Sequence, residues 1–212
     1  MKYTFIILMF IAFTNCSTSK LVNEWKDSET ETFSANKVLV VGMTEDKQLR
    51  RTFETELAKE LEKNDMIAVR SIDFFESSFN NSKQSEADLN MLEQKLLEKG
   101  FDAILLSKIT GQYSKVTVVQ AYRSFAKPYQ SFRDYYYSNQ HIYQREQSES
   151  YRVYTSETSL FCICLEKERE LLWRGQIDIS APNTPKKGIS DFIKTLIKSL
   201  KEEQMLINLE IK

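Results

Sequence analysis

Between residues 37 and 106 the apolar residues switch back and forth between two periods, and that alternation most constrains the fold. Lys37-Val38-Leu39-Val40-Val41-Gly42 is a continuous run rich in β-branched residues, the pattern of a strand covered on both faces at the centre of a parallel sheet. Residues 46–63 then take helical spacing, with Leu49, Phe53, Leu57 and Leu61 in one stripe and Glu54, Glu60 and Lys63 turned outward. Met66-Ile67-Ala68-Val69 reads as the next strand, and 77–85 as a polar loop rich in Ser and Asn. Residues 86–99 predict a second helix carrying Leu89, Leu92, Leu96 and Leu97 on one face, opened by a capping sequence at Ser85-Glu86-Ala87-Asp88 and stopped at Gly100. Phe101-Asp102-Ala103-Ile104-Leu105-Leu106 is the third strand. A β-α-β-α-β start implies right-handed crossovers and a parallel core sheet.

The second half changes character. Residues 113–122 alternate in strand-like fashion, and 151–165 with 171–180 form a hairpin around the charged turn Glu166-Lys167-Glu168-Arg169-Glu170. Pro182 and Pro185 end it. Ile189, Phe192, Ile193, Leu196, Ile197 and Leu200 fall at the spacing of a strongly amphipathic helix, and 205–211 add a short edge segment. The expected fold is α/β, a three-layer or two-layer domain. Its mixed sheet is completed by an antiparallel hairpin and followed by a C-terminal helix.

The N-terminus says where such a domain would live. Lys2 is followed by an apolar stretch through Phe13, then Thr14, Asn15 and Cys16. That is the layout of a secretory signal peptide, too short to span a bilayer as a mature anchor. Cys16 stands where a bacterial lipoprotein is cleaved and acylated with palmitate-like chains, each buried methylene adding roughly 0.8 kcal/mol of membrane affinity. The expected organisation is a signal peptide over 1–15, a lipidated Cys16 with a tether over 16–36, and a single α/β domain over 37–212. Trp25 interrupts the tether and is expected to dock on the domain. Ser17 and Lys20, with no acidic residue close behind Cys16, point to an outer-membrane lipoprotein facing the periplasm. The net charge is −1 with no polybasic block, which leaves nucleic-acid binding without electrostatic support.

Nine of the ten tyrosines lie between Tyr113 and Tyr154, interleaved with arginines, so this stretch is where a binding surface would be sought. Residues 123–149 lack apolar periodicity and read as a long loop or hairpin insertion within about 113–150. The candidate binding residues are Tyr122, Arg123, Tyr129, Arg133, Tyr135, Tyr136, Tyr137 and Tyr143.

Catalytic material is sparse. The expected strand ends carry Asp46, Asp73 and Lys108, which could converge in a crevice as phosphoacceptor sites do, although residue types at such ends more often serve as caps. No Gly-rich phosphate loop and no Gly-x-Ser-x-Gly elbow occurs. His141 is the single histidine, which leaves no raw material for a triad or a His-metal site. Cys162 and Cys164 alternate with apolar residues as one strand and read as small core residues, poorly placed to bridge each other. No cofactor is expected.

Cys16, Trp25-Lys26-Asp27, the run 37–43, Arg50-Arg51 before Phe53-Glu54, Glu157-Thr158-Ser159-Leu160-Phe161 and Leu172-Trp173 together resemble bacterial, Bacteroidota-like envelope lipoproteins. Their α/β domain is similar to the N-terminal domain of TolB or to small outer-membrane assembly lipoproteins. That resemblance implies a non-enzymatic protein held to the membrane by lipid and binding an envelope protein in assembly or transport. The alternatives are a glycan or small-ligand module using the Tyr/Arg segment, and a hydrolase or phosphoacceptor at the strand ends.

Overall fold

A computed structural model describes residues 19–75, 85–109, 131–139, 153–163, 170–180 and 184–206. The strands are β1 (Ser19–Lys26), β2 (Lys37–Met43), β3 (Ile67–Arg70), β4 (Ala103–Ile109), β5 (Val153–Cys162) and β6 (Leu171–Ser180). The helices are α1 (Lys47–Glu62), α2 (Ser71–Phe74), α3 (Glu86–Glu98), α4 (Phe132–Asn139) and α5 (Pro185–Glu202). The six strands form one sheet in the order β1-β6-β5-β4-β2-β3. β2 lies parallel to both β3 and β4, whereas the β4–β5, β5–β6 and β6–β1 pairs are antiparallel.

The pleat explains the continuous apolar run of β2. Val38 and Val40 enter one core with α1 and α5, and Leu39, Val41 and Met43 enter another with α3 and α4. β4 divides in the same way, Ala103 and Leu105 against Ile104 and Leu106. Helices therefore cover both faces, so the domain has three layers. All six residues of the expected C-terminal stripe, Ile189 to Leu200, are buried on the first face. Thr184 caps α5 by accepting from the Lys187 amide, with Pro185 in the first turn. Ser85 and Asp88 form the expected capping box, and Gly100, at φ +70°, closes α3 in a left-handed conformation that favours glycine. The hairpin stands as expected. No described helix is long and apolar enough to cross a membrane.

Five expectations change. The stretch assigned to a tether over 16–36 supplies β1. Without it β6 would present an unpaired row of backbone groups beside the buried Trp173 and Ile177. Trp25 is not docked: it lies on this edge strand opposite Arg174 and is 42% exposed. Glu54, expected on the outer face of α1, is fully buried. The fourth change falls within 123–149, where Phe132–Asn139 is helical. Met205 meets Phe33 in a single parallel bridge. The predicted loop at 77–84, the alternating residues 113–122, the turn at 166–169 and the tail from 207 lie outside the described residues. Cys162 ends β5 in the core and is disulfide-bonded rather than a free core thiol. The other two cysteines of the chain, Cys16 and Cys164, lie outside the described residues.

Candidate functional site

Three groups of polar side chains sit where the sheet meets its helices. The first lies at the C-terminal ends of β2 and β3. The Asp46 carboxylate accepts from the amides of Gln48 and Leu49, both at 2.9 Å, and so caps α1. Two turns on, Glu54 Oε1 accepts from the Gly42 amide at 2.9 Å and from Arg50 Nε at 2.8 Å, and Oε2 accepts from the Ile72 amide at 3.0 Å. The Ser71 hydroxyl donates to Glu54 Oε1 at 2.5 Å and accepts from Arg50 Nη2 at 2.6 Å. A Cβ on Gly42 would sit 3.0 Å from Phe53 Cδ1, so glycine is what lets α1 approach close enough for these bonds. The carboxylate thus ties α1 to the end of β2 and the start of α2. Asp73 pairs with Arg70 at 2.6 Å on the surface.

The second group lies under α4. Lys108, at the end of β4, pairs with Glu157 of β5 at 2.8 Å, both largely buried. The Tyr135 hydroxyl donates to the same Glu157 Oε1 at 2.8 Å, and Lys108 Nζ stands 5.1 Å from the Tyr135 ring centroid. Burial, with the negative charge of Glu157 adding to it, holds the Tyr135 phenol well above its ordinary pKa, so this hydroxyl stays a neutral donor. Tyr135 and Phe132 also pack edge-on against Phe161.

These positions change the meaning of the tyrosine cluster. Tyr135 and Tyr136 are 0% and 2% exposed and belong to the α3–α4 core. They fix α4 to the sheet instead of offering a ligand surface. Tyr137 is 48% exposed, and Arg133 reaches Glu86 and Glu93 of α3 at 3.5 Å each. Tyr122, Arg123, Tyr129, Tyr143 and His141 lie outside the described residues, as does Cys16. Asp46, Asp73 and Lys108 are brought to the same end of the sheet, but each is held in a cap or an ion pair. No group of three or more potential metal ligands occurs among the described residues.

The third group was not singled out by the sequence. β1 and α5 run side by side, joined by Ser19 Oγ donating to the Asp191 carbonyl at 2.7 Å and meeting Thr195 Oγ1 at 2.7 Å. Farther along, Ser199 Oγ donates to Glu24 at 3.1 Å and Lys26 Nζ to the Glu203 carbonyl at 2.8 Å. Between β1 and α5 lies a groove of about 470 Å³ lined by Ser19 and Leu21 of β1 and by Lys187, Asp191, Lys194 and Lys198 of α5. Asp191 is buried and bonded to Lys187 Nζ at 2.6 Å. The signal that could have found this site is the lysine spacing on the back of α5, at positions 187, 194, 198 and 201, one side of a helix.

Sheet and helices define the protein as a three-layer α/β domain with a mixed sheet whose N-terminal strand lies at one edge. No protein-family model and no curated protein matches the chain. Among solved structures, a PelC dodecamer variant from Paraburkholderia phytofirmans aligns with 90% of this chain and 98% of its own, at 8% identity and a TM-score of 0.42. A second PelC dodecamer from the same organism covers 88% and 96%, at 9% identity and a TM-score of 0.39. The lipoprotein GNA1162 from Neisseria meningitidis covers 78% of this chain and 96% of its own, at 14% identity and a TM-score of 0.41. Likenesses this distant carry no information about partner, assembly or activity.

Proposed function

We propose that this chain is an envelope lipoprotein acylated at Cys16, facing the periplasm from the outer membrane, and serving as a non-enzymatic module for a protein partner in envelope assembly or transport. One observation carries the reading. Strand β1 starts at Ser19, three residues after the lipobox-like cysteine in sequence, and Ser19 is bonded into β6 and α5. A chain of three residues spans at most about 11 Å, so an acyl group on Cys16 would hold the domain against the leaflet. A binding role agrees with the charged residues at the strand ends, whose carboxylates and ammonium serve as caps, braces and ion pairs. The resemblance to TolB-like envelope domains suggests the class of partner.

The test has two readouts. Labelled palmitate should enter the full-length chain in a Gram-negative host and not the Cys16→Ser variant. In-cell cross-linking of the acylated form should recover one envelope protein reproducibly, and Cys16→Ser should lose it. Absence of label, or a mature chain free in the periplasm, refutes the anchor. An acylated chain that cross-links to no protein refutes the partner.

A further inference from the structure

We propose that the disulfide of Cys162 closes on Cys164, a bridge across one residue at the end of β5 that leaves the Cys16 thiol free and requires an oxidising compartment.

The sheet register carries the argument. Cys162 is disulfide-bonded and the chain holds three cysteines, so its partner within the chain is Cys16 or Cys164. Ser19 stands opposite Ile179, and Ile179 stands opposite Tyr154. Ser19 and Tyr154 therefore share one row of the sheet, two strand spacings or about 10 Å apart. Cys162 lies farther along the same strand as Tyr154, about 26 Å on at ~3.3 Å per residue. The diagonal from Ser19 to Cys162 is then about 28 Å. Three residues of chain reach back from Ser19 by at most about 11 Å, which holds Cys16 no closer than about 17 Å to Cys162. A bridge needs the two Cα atoms within ~7 Å, so Cys16 is excluded.

Cys164 meets that limit at any backbone conformation. Residues two apart are about 6.8 Å apart in a strand, with both side chains on one face, and a turn brings them closer. An extended ladder would oppose the final approach of the sulfurs, but β5 ends at Cys162. The backbone at that end is held on both sides. The Cys162 amide donates to the Glu170 carbonyl at 3.2 Å, and the Ile163 amide to the Asp102 carbonyl at 2.8 Å.

The bridge forms by thiol–disulfide exchange. The thiolate of one cysteine attacks a protein disulfide of the envelope and forms a mixed disulfide. The second thiolate then displaces the oxidant, which leaves as a dithiol carrying the two electrons and two protons. Such bridges persist in the periplasm and not in the reducing cytosol. A ring this short removes little chain entropy from the unfolded state, so its loss need not unfold the domain. The inference requires export but not acylation.

The experiment uses the full-length chain exported by a Gram-negative host, alkylated in denaturant and cut with trypsin without reduction. The 153–167 peptide should be unalkylated and two hydrogens lighter than its thiol form, and after reduction it should take two alkyl groups. Cys16→Ser should change neither result. Cys164→Ser should keep nearly the same thermal midpoint and leave Cys162 open to alkylation in denaturant; should that variant fail to fold, the wild-type peptide alone decides the pairing. Alkylation of the wild-type peptide before reduction overturns the proposal, as does a peptide joining Cys162 to Cys16 or to a second copy of the chain. Precursor held in the cytosol by a secretion block should carry both residues as thiols, and a bridge formed there overturns the dependence on an oxidising compartment. The acyl mass on Cys16 is read separately in the exported sample: its absence refutes the lipoprotein reading and leaves the bridge standing.

Discussion

Glu54 and Tyr135 show how single polar groups are used in this domain. Glu54 lies beside the apolar stripe of α1, and only its i,i+4 spacing from Arg50 hints that it is not a surface residue. Its burial follows from what α1 covers: the amides of Gly42 and Ile72 need an acceptor, and a carboxylate with a guanidinium beside it supplies one. Tyr135 plays the same part under α4. Tyr135→Phe removes a donor to a charged acceptor and should cost about 1.5–3 kcal/mol near neutral pH. The pH dependence has a definite sign. Because the folded protein raises the Tyr135 pKa, the neutral phenol contributes stability in full below its unfolded value near ~10, and that contribution falls as pH rises through the folded value. The gap in denaturation midpoint between wild type and Tyr135→Phe should therefore narrow above pH ~10. A gap constant across that range would show that ionisation of Tyr135 is not linked to unfolding. The buried pair Tyr135 and Tyr136 was legible as an aromatic cluster but not as core, since an eight-residue helix is too short to display a period.

Helix ends reveal a rule that residue type alone only partly shows. α3 closes with Gly100 at φ +70° and the Phe101 amide donating to the Leu96 carbonyl at 3.1 Å. α1 and α5 close the same way without glycine. Asp65 and Gln204 take φ +58° and +60°, and the amides of Met66 and Met205 reach Leu61 and Leu200 at 3.4 and 2.7 Å. Each of these three left-handed residues is followed by a buried apolar one, Met66, Phe101 or Met205, so the tertiary contact holds the backbone where sterics resist it. Only Gly100 was readable, because glycine marks the conformation by its chemistry. Gln204→Gly should stabilise the domain by about 0.5–1 kcal/mol, read as a rise in denaturation midpoint. An unchanged or lower midpoint would mean that the Gln204 side chain contributes more than the backbone relief. β1 escaped the sequence reading for a related reason. Asn23, Glu24 and Lys26 are polar because an edge strand has a solvated side, and composition alone cannot separate that from a linker.

Across the whole molecule, the order β1-β6-β5-β4-β2-β3 places the N-terminal strand and β3 at opposite edges. At roughly 4.8 Å per strand the two edges lie about 24 Å apart. If Cys16 holds β1 to the leaflet, β3, with Ile67 61% exposed, is carried toward the periplasm. Inserting a flexible linker of about twenty residues between Thr18 and Ser19 should leave the thermal midpoint unchanged but give the domain roughly 25 Å of freedom. Partner cross-linking should then fall. Undiminished cross-linking would show that orientation at the membrane is irrelevant. By itself the sequence determined the alternating elements at 37–106, the hairpin and the last helix, because periodicity records how many faces of an element are covered, a local property. Only the tertiary structure decided that residues 19–26 pair with β6, that Glu54 points inward, and that Ser19 and Asp191, far apart in sequence, meet. Those outcomes depend on which backbone groups and charges are left without partners once the layers meet, and no local pattern records that.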